Sequence, residues 1–367
     1  MPILNEVIEV LERLAPPYLA EAWDNVGLLL GSRSQKVDKV LCALDLNEEV
    51  AEEAITLGVD CIITHHPFLF KPLKALDLDT QTGRILAKLI KAEIALYAMH
   101  TNYDAAIGGL NDYLCKGLGL EATSVLQTIK EEKLYKCQVY VPKTHLDKVR
   151  EAIVIHNPCQ LGAYSGCTFT ALGEGTFKPL ANANPYIGTS GVLEKVEEGI
   201  ISFVTERQVV SYVLEQIKKV HPYEEVAFDV FEMENMKVQY GIGRVGVLPQ
   251  EVSLDAFIDQ VKAFFNVTQL RVTKVRKEND IRRVAICSGS GAEFIGVAAN
   301  KADVYITGDL KFHEAQLAYS LGLTVIDVGH YASESIGLKP IGEAICNEFK
   351  DCEVIESRVN GEMLFIK

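Results

Sequence analysis

The chain has 367 residues, of which 48% are hydrophobic and 23% charged, so it can form packed cores and exceeds one typical domain. Its net charge of -14 at pH 7 provides no basic footprint, and we predict no nucleic-acid partner. No apolar run reaches membrane-spanning length, and nine cysteines without a C-x-x-C pair are typical of a reduced protein. We therefore expect a cytoplasmic, globular protein with no membrane partner.

The first third of the chain alternates helix and strand patterns. It begins with an amphipathic helix at 4–14 that carries acids on its polar face. The next segments are strand patterns at 40–45, 59–64 and 94–99 and helix patterns at 48–57 and 82–92. This alternation predicts a mostly parallel sheet, and the last third of the chain, from about residue 240, resumes it.

Two adjacent histidines follow one of these strand patterns. His65 and His66 come directly after 59–64, and Pro67 prevents the strand from continuing. Adjacent side chains at a strand end point in different directions, so two neighbouring ions would bind them more easily than one. Two imidazoles gain nothing structural from adjacency. The doublet therefore predicts a metal site with two ions.

Further ligand types follow other strand patterns. After 94–99 the chain runs from His100 to Asp104, and a later strand leads into a helical stretch with His330 and Glu334. His330 and Glu334 are four residues apart and share one face of a helix. Because open α/β sheets place ligands at the carboxyl ends of their strands, we predict that Asp104, His330 and Glu334 are also metal ligands.

The role of three other polar residues near strand ends is not decided by the sequence. Asp309 and His313 follow a strand pattern at 304–307, and His100 follows 94–99. A single His or Asp in this position is commonly a helix cap or a turn residue. The sequence keeps both interpretations, ligand and cap, for His100, Asp309 and His313.

The pattern changes between residues 131 and 238. The segments there are strand patterns at 134–142, 167–177 and 221–230 and helix patterns at 144–155 and 209–220. Thr144 is the predicted N-cap of the first of these helices. A β-α-β, β-α-β order is typical of a ferredoxin-like unit. We therefore predict an α+β domain at 131–238, inserted into a discontinuous α/β domain formed by 1–130 and 239–367.

Two glycine-rich segments suggest phosphate binding. Residues 241–246 match G-x-G-x-x-G, but no helix follows, so this segment predicts the start of a strand. Residues 288–293 lie between a strand pattern and a helix pattern at 294–299. Their backbone amides would face an anion or close a tight turn, and both interpretations stay open.

Four motifs are spread along the chain. They are Asp24-Asn25-Val26-Gly27-Leu28, Thr64-His65-His66-Pro67, His100-Thr101-Asn102-Tyr103-Asp104 and Gly329-His330-Tyr331-Ala332-Ser333-Glu334. In kind and order they resemble the Nif-three-like family, widely labelled GTP cyclohydrolase I type 2. The resemblance implies a homohexamer, and two divalent transition-metal ions per chain bound between two halves of an α/β fold. The ligands that it implies are His65, His66, Asp104, His330 and Glu334.

The predicted insert carries a second resemblance. Its segments 175–179, 184–188 and 221–225 resemble the PII-like or CutA-like domain of longer family members. Such domains commonly trimerise, and some bind small ligands. His221 and Glu225 repeat the spacing of the predicted ligand pair, but Pro222 interrupts helical geometry. They are interpreted as structural residues or as ligands of a separate site.

These ligands favour a metal-dependent hydrolase. Imidazole and carboxylate ligands suit zinc, with iron or manganese as alternatives. A water bridging two ions about 3.5–4 Å apart would attack a nucleotide-like or phosphoester substrate of unknown identity. We predict no catalytic residue beyond the ligands. The alternative is a non-catalytic metal-binding or regulatory assembly protein, although structural zinc usually has cysteine ligands and this set contains none.

Overall fold

The computed structural model describes residues 1–157, 159, 161, 164–274 and 280–364. The chain divides into two compact units, Met1–Lys130 with Tyr240–Lys367, and Glu131–Gln239. The first unit is discontinuous in sequence, and the second covers nearly the same residues as the predicted insert at 131–238. Each unit is mixed α/β, which confirms the predicted fold class.

The helices and strands alternate along much of the chain. The α-helices of the described residues are α1 (Leu4–Leu14), α2 (Glu48–Leu57), α3 (Gln81–Lys91), α4 (Thr101–Ala105), α5 (Leu110–Gly117), α6 (Leu146–His156), α7 (Val210–Val220), α8 (Leu254–Phe265), α9 (Ile295–Ala299), α10 (Phe312–Leu321), α11 (His330–Ser335) and α12 (Leu338–Glu348). The strands are β1 (Gly27–Leu30), β2 (Lys39–Ala43), β3 (Cys61–Thr64), β4 (Ala95–Ala98), β5 (Glu121–Pro142), β6 (Thr168–Phe177), β7 (Glu194–Thr205), β8 (Phe228–Val252), β9 (Arg271–Val272), β10 (Ile281–Ile286), β11 (Val304–Thr307), β12 (Thr324–Asp327) and β13 (Glu353–Glu356). None of the described helices is both long enough and apolar enough to cross a lipid bilayer.

The first unit contains two sheet regions with parallel centres. One has the order β1-β4-β3-β2-β13, with β1 antiparallel and the other neighbours parallel. The other has the order β8-β10-β11-β12-β9, with the outer strands antiparallel and β10, β11 and β12 parallel. The mostly parallel arrangement predicted for both parts of this unit is confirmed.

The parallel strands of both sheet regions have continuous apolar sequences because both of their faces are buried. Ile62 and Leu96 lie in the core of the first sheet, while Tyr305 and Val325 lie in the core of the second. Truncating a fully buried side chain of this size typically costs about 2–5 kcal/mol. Both cores therefore hold the ends of the parallel strands in fixed positions, and those ends carry the predicted ligands.

The second unit has the ferredoxin-like topology that the sequence predicted. Its elements follow one another as β5, α6, β6, β7, α7 and β8, and its strand order is β6-β7-β5-β8. The pairs β5–β7 and β6–β7 are antiparallel. One apolar core, which includes Val139, Ile153, Ile201 and Val213, joins the helices to this sheet.

Some local predictions for this unit were wrong. Thr144 is not an N-cap, because a short 3-10 turn at Lys143–His145 precedes α6 and the Thr144 hydroxyl lies 2.9 Å from His145 Nδ1. The last strand begins at Phe228, after a turn, and not at residue 221. Residues 241–246 lie inside β8 and do not start a strand, because this strand already begins at Phe228.

Candidate metal centre

Polar side chains from both sheet regions of the first unit meet at the carboxyl ends of their parallel strands. His65 and His66 follow β3, and Asp104 lies on α4 directly after β4. His330 and Glu334 lie on α11, which follows β12. The structure brings all five residues predicted as ligands into one cluster.

Glu334 lies at the middle of this cluster. Its Oε2 atom is 3.0 Å from Nε2 of His66 and 3.0 Å from Nε2 of His330. Its Oε1 atom is 3.8 Å from Nε2 of His65, and that nitrogen is also 3.8 Å from Asp104 Oδ1. The Glu334 carboxylate thus lies between two groups of side chains: one oxygen is next to His66 and His330, and the other faces His65, which is paired with Asp104.

The donor atoms of the cluster fit a metal ion better than they fit one another. His65 Nε2 finds no hydrogen-bond partner among the described residues, although His65 is 2% exposed. A buried polar atom without a partner typically costs about 1–3 kcal/mol. Imidazole nitrogens and carboxylate oxygens that converge in this way are the ligands that zinc, iron and manganese accept.

Three carboxylates contact the outer nitrogens of three imidazoles. The Nδ1–carboxylate pairs are His66–Asp45 at 2.8 Å, His330–Asp309 at 2.7 Å and His100–Asp24 at 3.0 Å. An ionised carboxylate can only accept, so each Nδ1 carries a hydrogen, and in the neutral form of each ring Nε2 keeps the lone pair. Histidines that bind metals are usually oriented by such a partner.

The charges of the cluster support one another. Burial alone would lower the pKa of His66, but the carboxylates of Asp45 and Glu334 outweigh it and raise that pKa to about 10. Glu334 raises the pKa of His330 to about 9. Burial alone would raise the pKa of Glu334, but the imidazoles of His65, His330 and His66 hold it well below its usual value. The imidazoles around Glu334 therefore stabilise it as a carboxylate, whereas burial raises the pKa of Asp104.

The structure gives different positions to His100, Asp309 and His313, which the sequence left undecided between metal ligand and helix cap or turn residue. The His100 ring lies 5.2 Å from the His65 ring and 5.4 Å from the His66 ring, at the edge of the cluster. Asp309 orients His330. His313 is exposed on α10, where its Nδ1 lies 2.9 Å from Gln316 Oε1, and it does not join the cluster.

The loop at residues 288–293 borders the cluster, and three of its backbone amides donate within the protein. The amides of Ser288, Gly289 and Gly291 donate to side-chain oxygens at 2.9–3.0 Å. The acceptors are Asn111 Oδ1, Ser333 Oγ and Thr307 Oγ1, respectively. Because these donors are already used inside the protein, they do not face a phosphate.

His221 in the second unit has a structural role. Its Nε2 lies 3.0 Å from the Tyr140 carbonyl oxygen, and its Nδ1 accepts from the Tyr223 amide at 3.1 Å. Both ring nitrogens therefore have backbone partners. The alternative interpretation of His221 as a ligand of a separate metal site was wrong.

Sequence reasoning missed the carboxylates that orient the histidines. Asp45 ends the strand pattern at 40–45, in the same kind of position as the predicted ligands, and this signal was available. Asp24 follows no predicted strand, and its partner His100 is 76 residues away. Only the resemblance of its motif pointed to Asp24.

A cavity of about 720 Å³ borders the cluster within the first unit. Its lining includes His66, His330, Asp45 and Asp309, together with Arg271, which pairs with Asp327. The His330 side chain is 36% exposed. The cluster is therefore open to small molecules on the side of His66 and His330.

Aromatic rings flank the cluster on the side of His100. Trp23 stacks on Phe70 with ring centroids 6.4 Å apart and an interplanar angle of 12°. Both rings lie steeply inclined to His100, with ring centroids 5.9 Å from it for Trp23 and 5.8 Å for Phe70. Trp23 is 60% exposed. A flat apolar surface thus lies next to the histidines.

Fold and cluster together define an α/β protein with a buried group of histidines and carboxylates suited to divalent metal ions. A sequence profile of the family described as Duf34/NIF3 (NGG1p interacting factor 3) matches residues 2–362. The chain belongs to this family, and the resemblance found in the four motifs is confirmed.

Individual relatives agree with this assignment over nearly the full length. A protein of Halalkalibacterium halodurans named GTP cyclohydrolase 1 type 2 homolog is 42% identical over 359 residues, covering 96% of each chain. A Bacillus subtilis protein of the same name is 40% identical over 353 residues, covering 94% of this chain and 93% of that one. A crystal structure of a Bacillus cereus protein related to NIF3 matches with a TM-score of 0.81 and 38% identity, over 100% of this chain and 99% of that chain.

Proposed function

We propose that this protein is a metal-dependent hydrolase whose centre holds two divalent ions. The proposed ligands are His65, His66, Asp104, His330 and Glu334, with zinc as the favoured metal and iron or manganese as alternatives. Because Glu334 contacts both groups of side chains, we assign His66 and His330 to one ion and His65 and Asp104 to the other. Glu334 then serves both ions.

The observation that carries the enzymatic proposal is the cavity beside His66 and His330. Structural metal sites usually have a closed shell of protein ligands, whereas catalytic sites keep a position open to substrate. The cavity of about 720 Å³ and the partial exposure of His330 provide such access. When bound, divalent metal ions lower the pKa of a coordinated water and polarise the bond under attack.

The chain's own residues then have distinct roles. Asp45 and Asp309 orient His66 and His330 through their Nδ1 atoms, which keeps both Nε2 lone pairs directed at the centre. The Ser288 hydroxyl donates to Asp104 Oδ1 at 3.1 Å and fixes that carboxylate. These contacts hold the donor atoms in place before any ion binds.

We propose a nucleotide-like or other phosphoester substrate that carries a flat ring. Trp23 and Phe70 provide a stacking surface beside His100, and stacking on aromatic side chains is a common way to bind a nucleobase. The relatives named GTP cyclohydrolase 1 type 2 homolog agree with a substrate of this class.

A screen of the purified full chain against nucleotides and phosphoesters tests the proposal. We expect hydrolysis that disappears with a chelator and returns with zinc, iron or manganese. Asp104→Asn and His66→Ala should lower the rate by about 100-fold or more while the protein stays folded. The matched control is His313→Ala, an exposed histidine outside the cluster, which should leave the rate unchanged.

Two results would overturn the enzymatic proposal. One is wild-type hydrolysis by Asp104→Asn and His66→Ala proteins shown to be free of metal. The other is a protein that binds two ions but shows no metal-dependent turnover across the screen, and this would favour the non-catalytic metal-binding alternative.

We also propose that the chain assembles into a homo-oligomer, with the hexamer as the form implied by the family resemblance. Light scattering coupled to size exclusion tests this directly. A monomeric mass for metal-loaded protein would contradict it.

A further inference from the structure

The second unit contains a cavity that the proposed hydrolase does not use. Its volume is about 440 Å³, within the range of small-ligand pockets, and all its lining residues belong to this unit. The lining includes the three segments 175–177, 185–187 and 223–225. These belong to the segments that stood out in the sequence of the insert.

Aromatic rings form much of the lining. Phe177 and Tyr223 have ring centroids 5.8 Å apart at an angle of 63°. Tyr186 and Tyr223 have centroids 6.4 Å apart at 53°. Tyr140 also borders the cavity, and its hydroxyl donates to Asp229 Oδ2 at 2.9 Å. The rings are inclined to one another and do not stack flat, so they border the space from different directions.

The charges around the cavity are all of one sign. Glu198, Glu224 and Glu225 line it, and the described lining residues include neither Lys nor Arg. Glu198 Oε1 accepts from the Tyr223 hydroxyl at 2.9 Å, and Glu224 Oε1 accepts from the Asn184 amide at 3.0 Å. An anionic ligand would be repelled here, whereas a cation would meet carboxylates.

Gly175 makes room for one of these carboxylates. A Cβ atom at Gly175 would lie 2.0 Å from Glu198 Oε2, much closer than any real contact. A side chain at residue 175 would therefore crowd Glu198 in its position beside Tyr223. Phe177 on β6 and Glu198 on β7 belong to two paired strands.

We propose that this cavity binds an organic cation that carries an alkylated ammonium group. Aromatic ring faces attract such cations, and several rings around one quaternary ammonium form a strong recognition site. The methyl groups of the ligand would contact Phe177, Tyr186 and Tyr223, while Glu198 would neutralise its charge. A neutral molecule of the same shape would gain only the apolar contacts.

Calorimetry on the full chain with choline and its neutral carbon analogue, 3,3-dimethyl-1-butanol, tests this proposal. Choline should bind about tenfold more tightly than the analogue, because only choline carries the charge. Phe177→Leu keeps an apolar side chain without a ring, and Glu198→Gln keeps the shape without the charge. Each should weaken choline binding by about fivefold or more.

The matched control is Phe169→Leu, which changes an exposed ring on the same strand outside the cavity. It should leave choline binding unchanged. The proposal is wrong if the folded protein fails to bind choline, if it binds both molecules equally, or if Phe177→Leu and Phe169→Leu have the same effect. If Phe177→Leu changes the oligomeric mass and the protein does not bind choline, a second copy of the chain occupies the cavity. This result would also overturn the proposal.

Discussion

The Nε2 atoms of His66 and His330 lie 3.3 Å apart, although the residues are 264 positions apart in the chain. Both rings use Nδ1 as donor, His66 to Asp45 and His330 to Asp309, so in their neutral form both Nε2 atoms present lone pairs to each other. Two lone pairs at this distance require a cation nearby. In metal-free protein, protons on these nitrogens fill this role, and we propose that a metal ion fills it otherwise.

The first prediction concerns Asp45, which orients His66. Asp45→Asn removes the negative charge at Nδ1 and lets the ring change its orientation, so zinc affinity should fall by about 10–100-fold. Competition with a chromogenic chelator measures this affinity. Glu49→Gln, which neutralises an exposed acid in the first turn of α2, is the control and should bind zinc like the wild type. Equal affinity in both variants would show that Asp45 does not orient a ligand.

The second prediction concerns pH. The pKa of His66 is raised to about 10, because Asp45 and Glu334 outweigh the opposing effect of burial, and that of His330 is raised to about 9, chiefly by Glu334. Both imidazoles therefore hold a proton at neutral pH in metal-free protein, and an ion must displace it. Apparent zinc affinity should rise steadily as pH increases from 6.5 toward 9.

Proton release provides a second measure of the same competition. Calorimetry in buffers of different ionisation enthalpy should show protons released on zinc binding at pH 7. The interpretation fails if affinity is independent of pH across this window or if no proton is released.

The third prediction concerns Gly289, which packs against the central carboxylate. Its φ is +58°, and a Cβ atom there would lie 2.1 Å from Glu334 Oε1. Gly289→Ala should therefore displace Glu334 and lower both metal affinity and thermal stability. Gly296→Ala on α9 is the control, because a Cβ atom there meets nothing within 4 Å and Ala favours a helix. Equal zinc binding by the two variants would contradict the packing argument.

The fourth prediction uses Trp23, the single tryptophan of the chain. Its ring centroid lies 5.9 Å from that of His100, at the edge of the proposed centre. Binding of Co²⁺ should therefore quench tryptophan emission and saturate at about two equivalents. His65→Ala combined with Asp104→Ala should remove most of this quenching. Unchanged emission in cobalt-loaded wild-type protein would place the ions elsewhere.

The elements of the first unit and the residues of its cluster were predictable because their signals are local. Apolar runs that end in His or Asp mark buried parallel strands, and His330 and Glu334 show helical spacing within a few residues. The hydrogen bonds around the cluster join distant parts of the chain. Asp24 contacts His100 across 76 residues, and the Ser288 amide donates to Asn111 across 177. No local pattern reports such pairs.

In the second unit, sequence patterns failed to locate one strand and the start of one helix. Strand β7 was not recognised, since its first half carries acids, including Glu194, Glu197 and Glu198, and only its second half is fully buried. The helix start at Leu146 was misplaced because Thr144 has the side chain of an N-cap but lies in a 3-10 turn. In both cases tertiary packing outweighs residue preference.

Anomalous diffraction at the zinc absorption edge, from crystals of the zinc-loaded full chain, tests the central claim most directly. We predict two peaks in each chain, one next to His66 and His330 and the other next to His65 and Asp104, with Glu334 beside both. A single peak, or peaks away from these side chains, would contradict the dinuclear centre.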